Sequence, residues 1–140
     1  MDSGADRTSQ EKMKDAEWEK RKKQVKAIFD KWIKHLGLGW YQIDLNWKAG
    51  DAPERGDGYI VAMNVVSRWM YRTATINIWL EELPDDDWKL EKMVLHELCH
   101  ILVEPMRDPE QGCTDNEEAV VEGLARAFLW TVEGIKQKKL

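Results

Sequence analysis

The chain contains only three histidines, His35, His96 and His100, and the last two stand four residues apart in the run His96-Glu97-Leu98-Cys99-His100. On a helix, residues at that spacing share one face with Cβ atoms about 6 Å apart. Both imidazoles can then reach one metal ion at about 2.0–2.1 Å. Glu97 lies on the same helix but is turned away from the ion, where it can take a proton from a water molecule held there. Two imidazole ligands and a carboxylate base are the working parts of metal-assisted hydrolysis. The plainer alternative is a core helix with two hydrogen-bonded histidines. It leaves Glu97 unexplained, because these residues interrupt the most apolar helical stretch of the chain, where an unpartnered carboxylate is costly to bury.

A third protein ligand has few sources. No histidine follows His100, and His35, near the end of the first helical stretch, suits a partner for the helix dipole better than a ligand. Of the two cysteines, Cys99 falls off the face shared by His96 and His100 and reads as core packing. Cys113 sits on the loop beyond the helix, from which a thiol can approach the ion only if that loop folds back. The two cysteines define no disulfide framework. Tyr59 and Tyr71 are the neutral donors available for an oxyanion.

The run resembles the active-site helix of the zincin metallopeptidases. It departs from the metzincin pattern, which places a glycine three and a histidine six residues past the second histidine, because Val103 and Met106 stand there. It also lacks the downstream third histidine of SprT-like peptidases, although His-Glu-Leu-Cys-His is a form those proteins often show. The remaining resemblance, over about Thr73 to Leu129, is to gluzincins, to small phage and bacterial zincins and to ImmA/IrrE-like peptidases. It implies a zinc ion held by His96, His100 and a glutamate on the following helix, with an acid four residues later supporting the first histidine. Glu118 and Glu122, in Glu118-Ala-Val-Val-Glu122, match that pattern. On a helical wheel Glu117 lies in the middle of the apolar stripe and competes with Glu118 for the role. Its expected part in a capping box with Thr114 favours Glu118 as ligand. Arg126, two turns beyond Glu118, can pair with an acid near the site. The implied activity is that of a zinc metalloendopeptidase with Glu97 as general base. The rivals are a regulatory peptidase acting on a repressor and a non-catalytic domain stapled by a structural metal.

The elements that must position these residues follow from periodicity. Residues 1–10 read as a disordered tail and 11–140 as one domain. Val25, Ile28, Phe29, Trp32, Ile33 and Leu36 recur at helical steps, predicting a helix from about Gln10 to Leu36 that Gly37 and Gly39 end. Alternation predicts strands over Tyr41–Trp47, Tyr59–Val66 and Thr73–Leu80. Thr73–Leu80, directly before the active-site helix, is the candidate for pairing with extended substrate. Asp85, Asp86 and Asp87 open a helix running from Asp87 to Val103, ended by Pro105, and a last helix runs from Thr114 to about Lys136. The expected class is α+β: an N-terminal helix, a small three-stranded and mainly antiparallel sheet, the helix of His96 and His100, and a C-terminal helix.

Composition limits partners more than function. A net charge of −5 leaves no positive footprint for a nucleic-acid backbone. The basic stretch Lys20–Lys34 is interleaved with acids and reads as a solvated helix face. No apolar run approaches the roughly 18 residues of a membrane span, and Met1–Asp15 has no apolar signal region, so the cytoplasm is the expected compartment. The expected partner is a flexible protein or peptide substrate. Eight tryptophans should mostly line the core or a cleft.

Overall fold

The computed structural model describes residues 4–56, 58 and 60–133, with side chains from Asp15 to Val132 apart from 57 and 59. The first helix, α1, spans Gly4–His35 and so starts before the expected Gln10. Val25, Phe29 and Trp32, three and four residues apart, are fully buried along its inner stripe. Its outer face carries the ion pairs Lys22–Glu19 and Lys26–Asp30, the solvated face expected of the basic stretch. Gly37 ends the helix with a φ of 70°, a left-handed conformation that costs glycine little.

Three strands follow, β1 (Gln42–Lys48), β2 (Met63–Arg68) and β3 (Thr73–Trp79), in the sheet order β1-β3-β2. The second strand starts later than Tyr59 because Val61 N–H donates to Pro53 C=O and Ile60 bridges Glu54, which ties that stretch into the preceding loop. Tyr59 itself lies outside the described residues.

The sheet is mixed, which corrects the mainly antiparallel expectation. β2 and β3 form a hairpin over the turn 69–72, where Arg72 takes a φ of 57°, and they pair antiparallel. β1 pairs parallel with β3 from Gln42–Thr73 to Lys48–Trp79. The segment between β1 and β2 is long enough to carry the chain past β3's position, as a parallel neighbour requires. β3 is therefore the central strand with both edges occupied, and it cannot add an extended substrate. That overturns the pairing role expected of Thr73–Leu80.

The inner face of β3, Ala74, Ile76 and Ile78, is buried against the helices. On the other face a side-chain ladder crosses all three strands: Asn46 Nδ2 donates to Asn77 Oδ1 at 2.8 Å, and Asn77 Nδ2 donates to Asn64 Oδ1 at 2.9 Å.

The next helix, α2, spans Asp87–Val103, and the Asp86 carboxylate caps it by accepting from the N–H groups of Trp88 and Lys89. A short 3₁₀ turn, Glu104–Met106 with Pro105 inside it, ends it. The last helix, α3, spans Asp115–Glu133. The expected continuation to about Lys136 lies outside the described residues.

α2 lies in the middle, packed against α1, β2 and α3, which is why it is apolar nearly all round. Leu90, Val94, Leu95, Leu98 and Ile101 are fully buried, as are Val121, Ala125 and Leu129 of α3. Glu91 ties α2 to α1, accepting from Lys31 Nζ at 2.6 Å and Trp32 Nε1 at 2.7 Å. Among the tryptophans Trp32 is fully buried and Trp18, Trp47 and Trp88 pack at the core's edge, but Trp40, Trp69 and Trp130 are exposed. Among the described residues no helix is long and apolar enough to cross a membrane.

Candidate metal centre

The four-residue spacing on α2 brings the rings of His96 and His100 to a centroid distance of 5.0 Å at 67°. The facing turns of α3 meet them with three carboxylates. Glu118 approaches the Nε2 atoms of both rings, at 2.9 Å from His96 and 3.4 Å from His100. The Nδ1 atoms are held from behind, His96 by Glu122 Oε1 at 3.0 Å and His100 by Glu117 Oε2 at 2.7 Å. Each imidazole is thus oriented by one acid and offers its other nitrogen toward Glu118. This is how metal-binding histidines are usually supported.

Two of these carboxylates are neutralised by cations. Glu122 accepts from Lys92 Nζ at 2.6 Å and Arg126 Nε at 3.0 Å. Its burial acts to raise its carboxyl, but the hydrogen bonds from Lys92 and His96 outweigh that and hold it at about 2. Glu117 accepts a two-pronged pair from Arg107, Nε to Oε1 at 2.8 Å and Nη2 to Oε2 at 2.7 Å. That hydrogen-bonded pair, more than any other influence, pulls its carboxyl down to about 2. Among the described residues no such cation pairs with Glu118. Burial acts to raise it, and a hydrogen bond from Cys113 with the two histidines leaves it lowered overall.

The position of Glu117 corrects its expected capping role. Thr114 Oγ1 accepts from the Glu117 backbone N–H at 3.2 Å, so the cap exists. The Glu117 side chain, however, turns to His100 and Arg107. With 9% of that side chain exposed it is the more enclosed of the two acids, as its place in the apolar stripe implied, while Glu118 is 48% exposed. Arg107 and Lys92 had no sequence signal: one sits on an irregular loop and the other looks like any surface lysine one turn before His96. Arg126 pairs with Glu122, as the spacing suggested. Glu104 is a further missed contact, joining the end of α2 to β2 by accepting from Ser67 Oγ at 2.8 Å and the Trp69 N–H at 3.1 Å.

Glu97 is only 9% exposed, and among the described residues no hydrogen bond or ion pair reaches its carboxylate. Burial, with a smaller push from the Glu118 charge, raises its carboxyl to about 8. Cys99 is fully buried, and that burial pushes its thiol up to about 12. His35 remains in the last turn of α1 against Trp32, and Tyr71 lies exposed on the hairpin turn. Neither joins the cluster. Cys113 does approach it, its thiol donating to Glu118 Oε2 at 3.3 Å.

Among the described residues, ligand atoms of His96, His100 and Glu118 lie within 4.8 Å of one another, as do those of His100, Cys113 and Glu117. A divalent cation fits the first group, because its nitrogens and carboxylate converge while the opposite ring nitrogens are already held by Glu122 and Glu117. Comparison with protein-family models, curated proteins and solved structures returned no match, so the functional reading rests on the cluster itself.

Proposed function

We propose that the protein is a zinc-dependent metallopeptidase, with His96, His100 and Glu118 holding the ion and Glu97 acting as general base. The observation that carries this reading is the convergence of both Nε2 atoms on Glu118 while Glu122 and Glu117 hold the opposite ring nitrogens. Two imidazoles and one carboxylate form a set that zinc takes in catalytic sites, leaving a position for water. A bound zinc ion would supply Lewis acidity and a water that loses its proton near neutral pH.

The chain's own residues divide the rest of the work. Glu122 and Glu117 fix which nitrogen of each imidazole stays free for the ion. Glu97 holds the proton taken from water and passes it to the leaving amine. Its burial raises its affinity for that proton, and a divalent cation nearby lowers it again, so the two effects together keep the group titrating near working pH. The exposed flank of Glu118 leaves the cluster open to solvent. β2 is the edge strand packed against α2, and its backbone offers an extended peptide segment a place to pair. Flexible protein segments are accordingly the substrate class.

The test is metal analysis of the purified protein together with Glu97→Gln. The variant should keep about one zinc per chain and its fold while hydrolysis of an unfolded protein substrate is lost, because an amide cannot accept the proton. A preparation that takes up no zinc on titration would end the reading. A variant that also lost the metal would make Glu97 a ligand.

A further inference from the structure

β2 is an edge strand, and its register with β3 fixes which of its backbone groups face outward. Ala62, opposite Trp79 one step before the strand, accepts from the Trp79 N–H at 2.9 Å. Opposed residues of an antiparallel pair alternate between hydrogen-bonded and non-hydrogen-bonded, so Asn64, Val66 and Arg68 are the residues bonded to β3. Gln42 N–H donates to Arg72 C=O at 2.8 Å, which places the even-numbered residues from Arg72 onward toward β1 and leaves the odd-numbered ones for β2, in agreement. Met63, Val65 and Ser67 therefore direct their N–H and C=O groups to the free edge, in line with Val61 before them and Trp69 after.

That edge is closed at both ends. Val61 N–H donates to Pro53 C=O at 2.8 Å, and Met63 is buried. At the other end the Trp69 N–H donates to Glu104 Oε1 at 3.1 Å, and Ser67 Oγ donates to the same oxygen at 2.8 Å. The Glu104 carboxylate thus occupies the place where the carbonyl of a further strand would lie. Between these ties Val65 and Ser67 are only partly buried. Glu104 is four residues past His100, still in helical conformation with φ −52° and ψ −39°, and its N–H donates to His100 C=O. Residues at that spacing have Cβ atoms about 5–6 Å apart on one side of a helix. The residue that closes the edge therefore stands one turn of α2 from the metal cluster.

We propose that Val65 and Ser67 form a short backbone slot for one extended polypeptide segment, and that Glu104 is the positioning residue that ends it. That this segment is the substrate rests on the metallopeptidase reading. A segment added to β2 gains main-chain hydrogen bonds at Val65 and Ser67. It cannot take the Trp69 N–H, because Glu104 already holds it. Only alternate residues of β2 face the edge, so an added strand that keeps its own faces moves along it in two-residue steps. Glu104 withholds the next step and fixes where the segment lies with respect to His100. Recognition through the backbone accepts many sequences but requires an unfolded chain.

Amide hydrogen exchange, followed residue by residue by NMR, tests this. The full chain carrying Glu97→Gln, which should hold substrate without cutting it, is given Zn2+ and mixed with reduced, carboxymethylated lysozyme as an unfolded probe. The probe should slow exchange at Val65 and Ser67 by up to about tenfold, the worth of one net hydrogen bond, while Trp69 is slow before and after. With Glu104→Ala added, Trp69 should exchange faster in the free protein, and the probe should then slow it as well. With Glu104→Gln added, which keeps an acceptor oxygen, the pattern should stay as it was. A probe that slows neither Val65 nor Ser67 overturns the slot, and protection that still stops at Ser67 in Glu104→Ala overturns the role of Glu104. Slowing that needs no probe and grows with protein concentration gives the edge to a second copy of the chain and also overturns the proposal. Zinc uptake by the same samples is read separately. Protection by the probe in a chain that takes up no zinc leaves the slot standing and removes the metallopeptidase reading.

Discussion

Three glutamates within six residues of α3 meet the two histidines, and each has a different job. Glu118→Ala removes the anionic donor and should abolish tight zinc binding. Glu122→Ala and Glu117→Ala each free one imidazole from its support and should weaken zinc roughly 10–100-fold. Glu117→Ala leaves the helix cap in place, because the cap uses its backbone N–H. Isothermal titration of the three variants separates these outcomes, and a Glu117 variant that loses zinc while Glu118→Ala retains it would exchange their roles. Glu97 adds a pH signature to the metal-free protein. Its folded value of about 8 exceeds the ordinary 4.5, so the stability linked to its proton is fully present below pH 4.5 and lost as pH rises through 8. The loss is on the order of a few kcal/mol. Urea denaturation of chelated protein from pH 4.5 to 8.5 should show this decline in wild type and a shallower one in Glu97→Gln. Equal slopes would mean that the carboxylate is solvated. Glu117 and Glu122, lowered to about 2, act in the opposite sense, their stabilisation being lost as pH falls below 4.5.

At the scale of elements, the site is a seam between two helices. α2 contributes His96, Glu97 and His100, α3 contributes Glu117, Glu118 and Glu122, and the apolar packing behind them sets how closely the two faces approach. Leu129 is fully buried in that packing. Leu129→Ala should cost about 2–5 kcal/mol of stability, and zinc affinity should fall with it although no ligand is touched. Chemical denaturation and zinc titration of the same variant check both. Undiminished zinc affinity at the expected loss of stability would show that the ligands are positioned by their own hydrogen bonds rather than by the core.

For the whole molecule, the metal joins parts of the chain that are separate in sequence, so binding it should stabilise the fold. A ligand that binds only the folded chain contributes about 2.7 kcal/mol at a free concentration of 100 times its Kd. Thermal melting should therefore rise with added Zn2+ and fall with chelator, and His96→Ala should remove the response. A melting temperature that zinc leaves unchanged in wild type would exclude a site formed by the native fold. The same clamp makes α3 dependent on α2. Their hydrogen bonds run through Lys92, His96 and His100, so hydrogen exchange in α3 should slow when zinc is added.

What local chemistry decides was legible without coordinates. The spacing of His96, Glu97 and His100 and the bounds of α2 follow from the 3.6-residue period and the Asp86 cap, and the i,i+4 relation of Glu118 and Glu122 needs only a helix around them. The order β1-β3-β2 was not legible, because the alternation of Tyr41–Trp47 shows which faces are buried and says nothing of which neighbour a strand takes. Nor was the work of Glu117. A capping pattern and a buried stripe both fit its position, and only the meeting of α3 with His100 and Arg107 separates them. Lys92, Arg107 and Cys113 acquire their places from the packing of α2 against α3 and the fold of the connecting loop. Such long-range contacts leave no periodic trace in the chain, and tertiary structure alone decides them.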